Sequence, residues 1–500
     1  MIERISVLHA NIAEQNTDAI VNAANTSLFG GSGVAGAIFD AAGYGEMTEA
    51  CKKFGYCETG DAVITSGFGL PAKYVIHAVG PVYGQNNETD AELLASCYYR
   101  ALQLAEENSL TSISFPLIST GIYGFPKPQA VKVAIDTVNG YFSDNPHSSI
   151  ADVVFCAFSD KDKVLIETML HNNRAEGMLV ELAVGDALGA PVEFGYSSDD
   201  IKRDWDGQMQ DHRIPKGFYT DDTAMALCLA DSLLACQGYN SYDVMTRYSR
   251  WAAEGYRDSE GQPASDIGSQ TNHAIISFRR DPVIAKHIPR IASAGNGGIM
   301  RIAPVIIATA HQPIEDAMTL ARLSSRETHY SYEADASAEI FGAMLHRALT
   351  AIDKQQVIAV LDLSTGPVFD DIIRRVIKTI PRESEALLCD RGGYVVDAIA
   401  IAVWGFMNFD TFDDGVIAVI KLGGDTDTNA AIYGQLAGAF YGYHSISNQW
   451  RVDLYQEQDI KKIAGSLYKL KFCDVVETRF EEDGGDIFID RTIKGVDRND

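Results

Sequence analysis

Cations are scarce in this chain of 500 residues: Lys and Arg total 41 against 68 Asp and Glu, a formal charge of −27. A phosphate backbone is held by clustered cations, so this balance argues against a broad nucleic-acid-binding surface. It leaves room for a small anion gripped by backbone amides. Long apolar runs are also missing. The longest, Val395 to Phe406, carries Asp397 and falls short of the roughly 20 apolar residues needed to span a bilayer. The opening MIERISVLHA lacks the charged-then-apolar layout of a secretory leader, so no membrane association and a cytoplasmic location are expected. Eight cysteines are scattered without a C-x-x-C pair, which points to reduced thiols and to neither a zinc site nor a disulfide framework. No repeat of fixed period and no low-complexity tract appears. At 46% apolar and 22% charged, the chain is not a disordered one.

What is present divides into two rhythms, as the length of two or three domains leads one to expect. Over the first 170 or so residues, a natural domain size, short apolar runs alternate with helical patterns. The runs are Ile5–Ala10, Ala19–Ala23, Ala62–Ser66, Tyr74–Val79, Ile113–Ile118 and Val153–Phe158, and helix-like segments include Asp90–Glu107 and Pro128–Tyr141. Strands spaced by helices predict a mixed or mostly parallel sheet with helices on both faces. The polar, aperiodic HNNRAE at His171–Glu176 marks the change. Beyond it, Ala/Leu-rich segments at Thr223–Cys236, Tyr242–Gly255, Tyr332–Ala351, Asp390–Met407 and Asn429–Tyr441 repeat apolar positions every three or four residues, which predicts an all-α domain. The charged tail from Phe472 holds FCDVV and IFI as candidate short strands.

In the first half, the strand-ending Val21-Asn22-Ala23-Ala24-Asn25 precedes Gly30-Gly31-Ser32-Gly33-Val34-Ala35-Gly36, and Ile113–Ile118 runs into Ser119-Thr120-Gly121-Ile122-Tyr123-Gly124-Phe125. A third segment is Gly60-Asp61-Ala62. Glycines let a backbone approach an anion, its amides point inward, and a following helix N-terminus favours negative charge. Taken singly, each is more often just a tight turn. Together and in order, with TGDAVITSG and YVIHAVGP between them, they resemble the macrodomain family over residues 1–172. The resemblance implies a three-layer α/β fold binding ADP-ribose, with Asn11, Ile12, Asn22, Asn25, Gly31, Gly33, Val34 and Ser119, Thr120, Gly121, Ile122, Tyr123 at the ligand. Three positions depart from the family pattern. Asn11 stands where an acidic residue usually contacts the adenine amine, Ala35 where hydrolytic members carry Asp, and Phe39 where a His or another aromatic is usual. Binding is therefore expected; hydrolysis by that carboxylate is in doubt, and both a reader and a weak hydrolase working through a different arrangement at Asn25 stay open.

In the second half, Thr220-Asp221-Asp222-Thr223 and Gly423-Gly424-Asp425-Thr426-Asp427-Thr428 each precede a helix. Capping alone accounts for either one, since Thr and Asp accept from free amides and acids favour a helix N-terminus. Two such turns, each with paired acids and no Lys or Arg, are a different matter. If they meet, like charges in a partly buried cleft require a cation, and oxygen-only ligands select Mg²⁺ or Mn²⁺. Ala430, Gly434 and Gly438 at four-residue spacing fit a close helix contact that holds the turns together.

The ordered set LAVGDALGAPVEF (Leu182–Phe194), TDDT, SDIGSQT (Ser265–Thr271), GNGGIMRIAP (Gly295–Pro304), THYSYEA (Thr328–Ala334), GGYVVDAIAIAVWGF (Gly392–Phe406) and GGDTDTNAA resembles the ADP-ribosylglycohydrolases typified by the dinitrogenase-reductase-activating enzymes. The domain it implies spans 177–471, leaving 472–500 as an extension without assigned role. The resemblance implies two Mg²⁺ (or Mn²⁺) held by Thr220, Asp221, Asp222, Asp425, Asp427 and Thr428. Glu193 is implied as a further acid, and Asn296, Gly297 and Gly298, after Gly295, as amide donors to the diphosphate. Glu193, Asp222 and Asp425 are the catalytic candidates. Asp266 either orients the leaving group or caps a helix. His329 either touches substrate or opens a helix. Asp186 reads first as a packing or supporting residue, Arg301 as a loop anchor, and Trp404 as core. The expected reaction is hydrolysis of ADP-ribose from a protein side chain, arginine being the best-matching linkage. Expected partners are ADP-ribose, ADP-ribosylated protein and a cognate ADP-ribosyltransferase or its target. The competing class is a sensor, or an immunity protein that neutralises such a transferase by binding.

Overall fold

The structure is a computed structural model that describes residues 4–86, 88–145, 147–282, 294–363 and 366–472, with the backbone of 474–480 and 486–490. The chain separates into two compact units, one ending at His171 and the other beginning at Asn172.

In the first unit the strands are β1 (Ile5–His9), β2 (Ala19–Ala24), β3 (Ala62–Ser66), β4 (Tyr74–Val79), β5 (Ser112–Phe115) and β6 (Asp152–Ala157). They form one sheet in the order β1-β6-β5-β2-β4-β3, parallel except for β3 against β4. Helices cover both faces, so successive residues enter different cores. Val21 and Ile76 pack with the Asp90–Glu107 and Lys127–Asp144 helices. Ile20 and Val75 pack with Ile38 and Met47 from Val34–Ala42 and Tyr44–Lys52. The four inner strands β6, β5, β2 and β4 are largely buried on both sides and read as continuous apolar runs, while the edge strands β1 and β3 are only partly covered. β2 and β5 are sheet neighbours whose chains continue to opposite edges. The loops after such strands frame a crevice at the carboxyl edge of a sheet.

One polar group sits deep in this unit. His77 on β4 is fully buried. Its Nδ1 accepts from the Asn22 amide at 3.1 Å and its Nε2 lies 2.9 Å from the Thr65 hydroxyl, a pairing that fits the neutral ring. Burial pushes its pKa down to about 4 from 6.5. The unfolded chain therefore binds this proton first as pH falls, and stability drains away between pH 6.5 and 4. The loss approaches about 3 kcal/mol. Hydrogen exchange of the β2 and β4 amides is expected to accelerate through that window and to flatten there in His77→Gln. The carboxylate of Asp18, held low by the Thr111 amide and Lys73, contributes its own loss only below its ordinary value of 3.8.

The second unit is largely helical. The expected helices appear as Asp221–Cys236, Ser241–Glu254, Tyr332–Ala348, Val395–Asn408 and Thr426–Tyr441. A small sheet accompanies the helices: β7 (Gly238–Asn240) pairs in parallel with β8 (Asp474–Phe480), which pairs antiparallel with β9 (Asp486–Asp490), the last two overlapping the FCDVV and IFI runs expected as short strands. The extension expected from residue 472 thus supplies two strands. Residues 481–485 and 491–500 of it lie outside the described residues. The HNNRAE stretch, where the rhythm changes and where the two units divide at His171–Asn172, lies inside a single helix, Asp160–Gly189. Its polar residues are consumed by packing. The Arg174 guanidinium donates to the carbonyls of Ala348 and Ala351 and lies over the Phe440 ring.

Glycines form a seam between the later part of that helix and Thr426–Tyr441. A Cβ at Gly434 would stand 2.2 Å from the Glu181 carbonyl oxygen, one at Gly185 2.3 Å from that of Ala430, and one at Gly438 2.4 Å from that of Gly177. Only hydrogen fits between backbones this close.

Candidate active site

The acidic turns begin two helices, Asp221–Cys236 and Thr426–Tyr441, and two threads bring them together. Along the seam, Gly189 lies against the backbone of Asp427. One turn earlier on the same helix, Asp186 is fully buried. One oxygen of Asp186 accepts from the Thr220 amide (2.9 Å) and hydroxyl (2.7 Å), the other from the Thr223 amide (3.0 Å) and hydroxyl (2.6 Å). Asp186 thus caps the Thr220–Thr223 turn from a neighbouring helix, and the seam carries the second turn to the same place. The spacing of Ala430, Gly434 and Gly438 does mark a close contact. The partner is the helix bearing Asp186, which bridges the turns.

The result is a pocket of carboxylates. Single oxygens of Asp186, Asp222 and Asp427 lie within 4.8 Å of one another, as do those of Glu193, Asp425 and Asp427. The Thr428 hydroxyl donates to Asp222 at 3.4 Å, joining the turns directly. Asp221 is partly buried at the edge. Asp425 accepts from the Asn296 side-chain amide at 2.8 Å, and Asp427 accepts from the Thr428 amide at 2.7 Å. Burial first, and repulsion among the acids second, push Asp221, Asp222 and Asp427 well above the usual carboxylate range. Burial also lifts Asp186 and Asp425. Glu193, half-buried at the mouth, is pushed up to about 7 by burial and by Asp425 and Asp266.

This set fits a divalent ion. Asp222 Oδ1 is buried with no hydrogen-bond partner, and among the described residues no Lys, Arg or His pairs with the four aspartates of the turns. An orphaned anionic oxygen among like charges is stable only with a cation or a proton. Asp186 belongs to the support, because its oxygens already take four hydrogen bonds. The Thr220 hydroxyl spends its proton on Asp186 and keeps its lone pairs free.

In the glycine segment one expected amide donor is taken up within the protein. Asn296–Gly298 forms a buried turn in which the Asn296 amide donates to the Gly393 carbonyl at 2.9 Å, so that amide is committed within the protein. A Cβ at Gly297 would stand 2.7 Å from the ring of His329. The buried His329 therefore backs this turn and Gly295, with its Nδ1 2.8 Å from the Thr328 hydroxyl. Arg301 anchors the loop: it donates to the Gly297 carbonyl, to Thr328 Oγ1 at 2.6 Å and to the Tyr248 hydroxyl at 2.9 Å. Gln435, which carries no motif, ties the loop to the seam helix by donating to the Ile299 and Met300 carbonyls. Trp404 is core. At the mouth, Arg213 pairs with both Glu193 (3.3 Å) and the exposed Asp266. One arginine in an irregular loop that also holds His212 and Lys216 gives no sequence signal, and its partners lie 20 and 53 residues away.

The first unit has its own cavity of about 740 Å³ at the carboxyl edge of the sheet. Asn11, Ile12, Asn25, Gly31, Gly33, Val34 and Ser119, Thr120, Gly121, Ile122, Tyr123 all line it. Gly33 takes φ +66° at the start of the Val34–Ala42 helix, a conformation that favours glycine and turns the loop toward the cavity. Asn22 does not line it. It is buried within the sheet and held by His77. Phe158, just past β6 and 89% exposed, joins the lining; as a strand-end residue it reads as sheet until the loop geometry is seen.

A buried acidic centre on two helix starts, with a glycine-looped α/β cavity in a separate unit, defines a nucleotide-sugar-handling protein of two parts. The family model described as ADP-ribosylglycohydrolase matches residues 167–474, and that described as Macro domain matches 21–134. The chain belongs to the ADP-ribosylglycohydrolase family and is a glycohydrolase acting on ADP-ribose, carrying a macro domain in its first part. A solved structure described as an ADP-ribosylglycohydrolase-related protein complex is 32% identical, with a TM-score of 0.50, and covers 60% of this chain and 98% of its own. A macro domain-containing protein of Chlorobaculum tepidum is 53% identical over 158 residues, 32% of this chain and 90% of that protein. The human ADP-ribose glycohydrolase MACROD2 is 45% identical over 163 residues, and only 38% of its length is covered. No described helix is long and apolar enough to cross a membrane.

Proposed function

We propose that the second unit removes ADP-ribose from arginine side chains of modified proteins at a centre of two Mg²⁺ or Mn²⁺ ions, while the first unit binds ADP-ribose. What supports this reading is that Asp427 is shared by two carboxylate groups, one with Asp186 and Asp222 and one with Glu193 and Asp425, and that Asp222 Oδ1 is buried without a hydrogen-bond partner. Asp221, Asp222, Asp425 and Asp427, with the hydroxyls of Thr220 and Thr428, would hold the ions. When bound, such ions orient ribose hydroxyls and make water a better nucleophile at neutral pH.

The remaining work falls to the chain itself. Asn296 fixes one Asp425 oxygen and so aims the other. Asp186 holds the Thr220–Thr223 turn rigid. Breaking the bond at the anomeric carbon builds positive charge on the ribose, which a pocket of carboxylates favours. Of the two proton-transfer candidates, Glu193 is better placed. It is the acid at the mouth, whereas Asp222 is fully enclosed. General acid–base groups must reach the departing group. In the first unit, the loops after β2 and β5 present amides to a diphosphate, and the exposed ring of Phe158 offers a stacking face for a base. A tethered binding unit raises the local concentration of modified targets.

Turnover of an ADP-ribosylated arginine peptide should stop after EDTA and dialysis and return with Mg²⁺ or Mn²⁺. Turnover indifferent to EDTA would remove the metal from the mechanism.

A further inference from the structure

The geometry points to Arg213 as a specificity-determining residue: its guanidinium is a place-holder on the Glu193–Asp266 pair, displaced when a substrate guanidinium enters. This rests on the arginine-directed hydrolysis proposed above, and names the device that would select the leaving group.

Arg213 is the cation that pairs at the mouth of an otherwise anionic pocket. Its Nη2 reaches Glu193 Oε2 at 3.3 Å and contacts Asp266 Oδ2. Glu193 in turn belongs to the cluster with Asp425 and Asp427. A guanidinium nitrogen, Nη2, is thus already shared between a carboxylate of the acidic centre and one open to solvent. The placement also lets it leave. Arg213 lies in the irregular segment between the Ser198–Asp204 and Asp221–Cys236 helices, and its side chain is 44% exposed, like the 46% of Asp266, against 18% for Glu193. A half-solvated ion pair on a loop is weakly held. Exchanging one guanidinium for another conserves charge and hydrogen bonding. A neutral leaving group offers no such exchange, because entering without displacing Arg213 leaves it crowded, and displacing it strands two carboxylates. The latch therefore costs arginine-linked substrates a little and excludes neutral ones more.

Two measurements on the full-length protein test this. The first compares kcat/KM for ADP-ribosyl-arginine and ADP-ribosyl-serine peptides in the native protein, Arg213→Lys and Arg213→Ala, after subtracting turnover remaining in Asp425→Ala/Asp427→Ala. Removing the competitor should lower KM for the arginine-linked peptide about fivefold in Arg213→Ala, with Arg213→Lys between. The second is calorimetry with methylguanidine, which should bind Arg213→Ala and compete with the arginine-linked peptide while leaving the native protein untouched at the same concentration. An unchanged or raised KM, or equal methylguanidine binding by both proteins, overturns the proposal. A native protein inactive on every linkage would instead sink the hydrolytic reading, and the methylguanidine comparison would still decide whether Arg213 occupies a guanidinium site.

Discussion

Exchange of Asp425 and Asp427 together for alanine is expected to lower kcat/KM on an ADP-ribosylated arginine peptide by at least about a thousandfold, which corresponds to about 4 kcal/mol of barrier. Asp427 belongs to both carboxylate groups and Asp425 to one, so the pair removes ligands from each half of the pocket. Stability should move the other way. Both residues are buried, and their charged forms are penalised first by burial, so without divalent ions the variant should melt no lower than the native protein. Saturating Mg²⁺ should raise the native melting temperature by mass action and leave the variant unmoved. A variant that melts far lower in EDTA would mean that the carboxylates hold the fold, and a variant that retains turnover would place the chemistry elsewhere.

The second large effect is structural. Gly434→Ala should destabilise the helical unit by about 2–3 kcal/mol, because its new methyl would stand 2.2 Å from the Glu181 carbonyl oxygen. Backbone cannot rotate away as a side chain can. Gly392→Ala meets nothing within 4 Å and should change stability by less than about 0.5 kcal/mol. Denaturant midpoints of the two variants compare the effects directly. Metal affinity should fall with Gly434→Ala as well, since the seam sets the distance between Asp186 and Asp427.

The sequence made the strands and both acidic turns legible because each is contiguous: apolar runs, buried on two faces in the inner strands, and acids packed into four to six residues. It withheld what depends on distant partners. HNNRAE marks the division of the units but does not reveal that one helix runs through it, with Arg174 reaching the carbonyls of Ala348 and Ala351. Asn296 looks like a free amide donor until Gly393 claims its N–H. Asn22 has the spacing of a ligand residue, yet alternation along β2 turns it into the sheet beside His77. β8 and β9 overlap the FCDVV and IFI runs and were legible as short strands, but the pairing of β8 with β7, more than 230 residues away, was not.

The four bonds accepted by Asp186 bear on how such proteins are compared and engineered. Every donor at that point is fixed by the turn: two amides that cannot rotate and two hydroxyls aimed by them. An asparagine there would aim its own NH₂ at two of those donors, so the exchange that substitution tables score as mild is a clash of like polarity at this position. Screens for active homologues, or libraries built around the pocket, should weight the charge state at 186 as heavily as that of Asp222 and Asp427 beside it.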